Sequence, residues 1–258
     1  NSDYSTSQFY TELLTRTSNF FVEVTSRGQL YELDFRLRPN GRKSPICISF
    51  DTFKKYYAEK GEVWEKLFLS KAKVVAETKE FTGKVKKVIT DFVFAKIKTT
   101  ELKKETVLMR NKIAEAVMTK QADKQKYQLY FKKWFGGLID IEFLAEFLTI
   151  LYGIKNKKIR KQNTISMLKA LKKYQYISDE DYHLLSGAYL FLRNVENILR
   201  LINNYSVECL PEEDSEFTLL LLRLKIDGKT KDDFFQKYYE VTFTIREIYF
   251  RYLGEDKR

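Results

Sequence analysis

Asp34, Arg36 and Arg38 stand at alternate positions of the stretch GQLYELDFRLRPNG, which runs from Gly28 to Gly41. Successive side chains of an extended chain point to opposite sides, so an acid and two guanidiniums would project together. Tyr31, Leu33, Phe35 and Leu37 would take the other side, and Pro39 and Gly41 stop the run. An ionised carboxylate binds Mg²⁺ directly, and arginine forks hold phosphate oxygens two at a time. The trio therefore suits a site that holds a metal ion on Asp34 and a phosphate on Arg36 and Arg38. It equally suits a ladder of surface ion pairs, which is common and contributes little. On spacing alone both readings stay open.

Two further clusters carry charge beside special backbone. In GEVWEKLFLSKAKVV, Trp64 and Glu65 are followed by Lys71 and Lys73. In GGLIDIEFLAEFL, Gly136 and Gly137 permit close backbone approach, and Asp140 and Glu142 open a helix where acids suit the dipole. The plain alternatives are a core tryptophan with solvated neighbours, and an ordinary loop-to-helix junction. No glycine-rich phosphate loop, zinc motif or dinucleotide fingerprint occurs. Cys47 and Cys209 are too few and too far apart for a secreted disulfide framework, which points to a reducing, cytoplasmic setting. The one histidine, His183, has no neighbours that complete a catalytic or metal constellation and reads as a helix-surface residue.

The elements that must position these residues are mostly helical. The chain has 258 residues, 44% of them hydrophobic, with three prolines and ten glycines. That composition supports a real core and few linkers. A helix is expected from about Ser7 through FYTELLTRTSNFFVEV. A half-buried strand follows in LYELDF and a second short one in ICISF, giving a small β element near residues 29 to 50. Ser49 then caps a helix. TGKVKKVITDFVFAKI fits either a helix or a buried strand. Asn163 and Ser178 are expected N-caps of later helices. The lysine-rich stretch from Lys120 to Lys133 is the expected boundary, dividing the chain into residues 1–120 and 121–258. The net charge of +11 is consistent with solvated helix faces or with an acidic partner. Nothing resembles a nucleic-acid reading element, and FTLLLLRL is too short to span a bilayer, so neither nucleic acid nor membrane is expected as a partner.

LYELDFRLRPNG, SPICISFDTFKKYYAEKGEVWEKLFLSKAKVV, GGLIDIEFLAEFL and AYLFLRNVENILRLIN follow one another in that order. Together they resemble the glutamine synthetase adenylyltransferase/adenylyl-removing enzymes, over nearly the whole chain. The resemblance implies a mainly α protein: part of a nucleotidyltransferase α+β element of the DNA polymerase β type, followed by a helical bundle. It implies Mg²⁺, with ATP, ADP or phosphate as substrates, and glutamine synthetase and the PII signalling protein as partners. It makes Asp34 the third metal carboxylate, with Arg36 and Arg38 beside it as catalytic residues. Lys71 and Lys73 become groups that offset phosphate charge, and Trp64, Glu65, Gly136, Gly137, Asp140 and Glu142 become interdomain supports. YYAEKGEVWE and AYLFLRNVEN look more like the adenylyl-removing half, GQLYELD more like the attaching half, and the balance favours removal. The family's G-S-D-x-D pair of carboxylates has no counterpart in this sequence. The expectation is therefore a piece of a longer enzyme that begins inside the nucleotidyltransferase domain and is inactive alone, since two-metal transfer needs several carboxylates. The alternative is a non-catalytic helical module that binds glutamine synthetase or PII.

Overall fold

The computed structural model of the chain describes residues 5–25, 28–29, 33–75, 78–224 and 230–254. Among them the fold is mainly α, as expected. The chain forms two compact units, one of residues 1–68 and 74–93, the other of residues 69–73 and 94–258.

The first unit opens with α1, Thr6–Val22. A reciprocal cap fixes its start: Ser5 Oγ accepts from the Gln8 N–H at 3.2 Å and Gln8 Oε1 accepts from the Ser5 N–H at 2.9 Å. None of its residues is buried. A two-residue antiparallel pairing follows, β1 (Val24–Thr25) with β2 (Gly28–Gln29). The expected strands fare differently. Leu30, Tyr31 and Glu32 lie outside the described residues, whereas residues 33–38 and 46–49 are irregular. Side chains here occupy the groups that a ladder would use. The Arg36 N–H donates to Asp34 Oδ1 at 2.9 Å, and the Arg38 guanidinium donates to the carbonyls of Phe35 and Ser44.

Helix α2, Phe50–Glu59, starts at Ser49, whose side chain accepts from the Thr52 N–H at 3.2 Å. Helix α3 spans Glu65–Ser70 and α4 spans Lys79–Val93, which resolves the helix-or-strand ambiguity of that stretch. Its lysines pair one turn away, Lys84 with Glu80 and Lys87 with Asp91. The core of this unit is aromatic. The Tyr57 ring meets Phe53 and Phe92, both at 4.9 Å between centroids, and Tyr56 at 5.0 Å. Gly61 lets Phe92 approach: a Cβ there would stand 2.5 Å from the ring.

The second unit is a bundle of α5 (Thr99–Lys120), α6 (Leu138–Gly153), α7 (Thr164–Lys173), α8 (Asp179–Asn203), α9 (Asp214–Arg223) and α10 (Lys231–Leu253). Asn163 and Ser178 cap α7 and α8 as expected, accepting from the N–H groups of Ser166 and Asp181 at 3.2 and 3.0 Å. Helix α6 is apolar on nearly every side and packs against α5, α7, α8 and α10, which makes it the axis of the unit. Because α5 packs on α6, it belongs with the bundle, and the division follows Val93 rather than Lys120. Residues 124–129, within the lysine-rich stretch, form a 3-10 turn.

Candidate functional site

Each unit holds part of the sequence-predicted site. In the first, Arg36 turns back onto Asp34. Its Nε lies 2.8 and 2.9 Å from the two carboxylate oxygens and its Nη2 lies 2.5 Å from Oδ2. Both side chains are largely exposed. The Arg38 guanidinium donates to the carbonyls of Phe35 and Ser44 and so clasps the turn that contains Asn40 in the left-handed conformation (φ 58°). The Asp34 carboxylate is therefore matched by a guanidinium in a pair of the ordinary surface kind. Among the described residues no three His, Cys, Asp or Glu side chains gather as a metal cluster. One carboxylate engaged in this way does not fit a Mg²⁺ site, which needs further oxygen ligands.

Trp64 and Glu65 lie in the same unit and make their contacts there. Trp64 meets Phe68 edge-on at 5.6 Å. Glu65 is buried and accepts from the Glu62 N–H at 2.7 Å and from the Tyr56 hydroxyl at 3.1 Å. Burial raises its pKa, against those two hydrogen bonds.

In the second unit, residues from separate motifs converge along α6. Lys71 Nζ lies 3.1 Å from Glu142 and 2.6 Å from Glu146. Arg193 of α8 reaches Glu142 with one nitrogen and Glu196 with another, both at 2.5 Å, and its Nε donates to the Tyr189 hydroxyl at 3.0 Å. Lys132 closes the chain of charges on Glu196 at 3.0 Å. The network thus joins SKAKVV, GGLIDIEFLAEF and FLRNVEN. Burial opposes the charge on Arg193, but its bond to Tyr189 and the neighbouring Glu142 outweigh that and raise its pKa. Burial likewise opposes ionisation of Glu196, and Lys132 and Arg193 overcome it, so the pKa is lowered. Lys73 is exposed and forms no ion pair with a described residue.

Glu146 behaves differently. It is buried, makes no well-directed hydrogen bond, and has Lys71 as its close ionic partner. Burial pushes its carboxyl up to about 8, in spite of Lys71. A folded-state pKa above the unfolded value means that the folded chain holds a proton which the unfolded chain has lost. Its stability contribution is full below the usual carboxylate range and is lost as pH rises toward about 8. Glu146→Gln stays neutral throughout. Relative to wild type the variant should gain on the order of 2 kcal/mol across that window, a discounted figure because Lys71 holds part of the charge. Urea midpoints of both proteins across the window check this. A difference that ignores pH would exclude the assignment.

The glycine pair and Asp140 form the tightest knot. Asp140 and Arg110 of α5 are both fully buried and ion-paired. Asp140 also accepts from the Gly136 N–H at 2.7 Å, and Arg246 of α10 lies 3.4 Å away. Phe135 lies against both cations, 4.7 Å from the Arg110 guanidinium and 4.2 Å from that of Arg246. Burial holds Arg246 below the usual arginine pKa; Asp140 opposes this and Arg110 adds to it. Trp134, Phe135, Arg246 and Phe250 line one side of a cavity of about 510 Å³. Gly136 (φ 78°) is required where it stands, since a Cβ would run into the Thr242 carbonyl, and a Cβ on Gly137 would stand 2.5 Å from the Phe131 oxygen.

Five members of these clusters, Arg110, Glu146, Arg193, Glu196 and Arg246, are not among the site residues expected from the sequence. For Glu146 the usable signal was a second acid one turn after Glu142 inside an apolar run. For Arg193 and Glu196 it was their place in FLRNVEN.

Comparison with protein families gives two matches in tandem. Residues 1–88 match the family described as glutamate-ammonia ligase adenylyltransferase (GlnE). Residues 108–252, more than half of the chain, match GlnD PII-uridylyltransferase. The first match contains the Asp34–Arg36–Arg38 turn, and the second contains the Asp140 knot and the Glu142–Arg193 network. The chain's first 88 residues are thus similar to the glutamate-ammonia ligase adenylyltransferases, and by the match that spans most of its length the chain belongs to the GlnD PII-uridylyltransferase domain family.

Proposed function

We propose that this chain takes part in moving AMP on or off a tyrosine of glutamine synthetase, in the cytoplasm, under the control of PII. The family match over residues 1–88, which contains the D-x-R-L-R-P motif, carries this reading. YYAEKGEVWE and AYLFLRNVEN favour removal by phosphorolysis over attachment from ATP. The contribution of the described residues is to bind and position. The carboxylates of Asp34, Asp140, Glu142 and Glu196 are all committed to ion pairs, and burial keeps a proton on Glu146. Asp34 alone does not fit Mg²⁺, so no chemical step is assigned to a metal here. The aligned charges along α6 fix α8 and the Lys71 segment in one arrangement, which is what a docking scaffold needs.

Association tests this without requiring catalysis. The chain is expected to bind glutamine synthetase saturably in at least one of its two forms, unmodified or AMP-bearing, by biolayer interferometry. Binding to neither form would overturn the reading.

A further inference from the structure

The positive charge of this chain is concentrated. No acidic residue lies between Glu146 and Asp179, and residues 155–173 carry eight cations against a formal net charge of +11 for the whole chain. Two of the eight are used within the fold. Arg160 donates to the Gly153 carbonyl at 2.8 Å and lies over the Phe94 ring at 4.0 Å. Lys172 pairs with Asp179 at 3.4 Å and sits over the Tyr182 ring. The other six, Lys155, Lys157, Lys158, Lys161, Lys169 and Lys173, are exposed and form no ion pair with a described residue.

These lysines stand on a fixed support. Ile159 is fully buried, and the 3-10 turn Lys157–Ile159 is capped by Asn156 and packs on both α6 and α7. Helix α7 buries Thr164, Met167, Leu168, Ala170 and Leu171, which leaves Lys169 and Lys173 outward, one turn apart. Like charges at that spacing destabilise a helix, and no described acid compensates them. A cost carried on a rigid surface has its natural return in a partner of opposite charge.

We propose that the face made by residues 155–161 and the outer side of α7 docks an acidic protein surface, that of the protein substrate named above; this rests on that reading. The chemistry favours protein over nucleic acid. Ammonium groups are hydrated point charges suited to long-range attraction, whereas phosphate clamping uses arginine forks, and the one arginine of the stretch is turned onto Gly153 and Phe94. Tyr152 and Tyr176 stack on each other at 4.1 Å instead of standing apart as platforms for bases.

The test compares wild type with K157E/K158E/K169E/K173E, with a fourfold Lys→Gln version beside it, using unmodified and AMP-bearing glutamine synthetase and a duplex DNA as probes. Far-UV circular dichroism should match wild type, since all four side chains are exposed, and the glutamine version, freed of the Lys169–Lys173 repulsion, should melt no lower than wild type. Wild-type affinity for glutamine synthetase should fall as salt rises, and the reversed variant should bind at least about tenfold more weakly, mainly through a slower on-rate, with the glutamine version between. If both variants bind as wild type does, the docking face is wrong and the functional reading stands. If wild type binds neither form of glutamine synthetase, the functional reading falls and this proposal with it. Tighter wild-type binding to the duplex than to glutamine synthetase, lost in the reversed variant, overturns the proposal in favour of nucleic acid.

Discussion

Asp140→Ala is expected to destabilise the helical unit by about 3–5 kcal/mol, the usual effect of removing one partner from a buried ion pair. The substitution leaves Arg110 fully buried without its carboxylate, takes the acceptor from the Gly136 N–H, and removes the acid that lies 3.4 Å from Arg246. Two guanidiniums would then face Phe135 without the carboxylate between them. For a unit of this size the melting temperature should drop by roughly 10 °C. Replacing both members of the pair by apolar residues of similar volume, Arg110→Met with Asp140→Leu, should recover part of the loss, because no orphaned charge remains. Thermal and urea melts of the three proteins decide it. A shift below about 1 kcal/mol for Asp140→Ala would mean that the pair is not closed off from water.

That knot also marks how far the sequence could be read. The N-terminal acid after two glycines announced a helix start, and α6 begins at Leu138. The caps Ser49, Asn163 and Ser178 were legible for the same reason: a cap is a bond between residues three positions apart. Arg110 and Arg246 lie 30 and 106 residues from Asp140, and no local rule reaches that far. Lys71 is legible as a cation beside a motif, but not its contacts with Glu142 and Glu146, which lie more than 70 residues away. The alternation around Asp34 misled in the other direction. Period two is necessary for a half-buried strand but not sufficient, because an extended segment needs a neighbouring ladder. Here Asp34 and Arg38 bond the backbone locally instead.

Gly136→Ala is the second large expected effect, about 2–5 kcal/mol, from two costs at one position. The backbone has φ 78°, where an alanine is strained. Its Cβ would also collide with the backbone of Thr242 in α10, which cannot swing aside as a side chain could. The N–H of Gly136 is the one that Asp140 accepts, so any shift of the loop is passed to the buried pair. Gly187→Ala, in the middle of α8 with no atom within 4 Å of the added Cβ, is the matched control and should be neutral or slightly stabilising. Denaturation midpoints of the two variants should therefore move in opposite directions or differ by several kcal/mol. Equal midpoints would show that the loop before α6 yields freely.

Residues 69–73 belong to the helical unit although the chain on both sides of them, 1–68 and 74–93, belongs to the other. The bundle's buried carboxylate Glu146 takes its close cation from that five-residue loan, and the carbonyl of Ala72 accepts from Gln162 within the same unit. A gene fragment opened at residue 94 would carry all six helices of the bundle and still lack the cation that lies beside Glu146 on its axis. The bundle is therefore not a portable cassette. Recombination or domain grafting at that boundary would transfer the axis without Lys71 and without the Ala72 carbonyl that Gln162 uses, so inheritance of this bundle is tied to inheritance of the segment that precedes it.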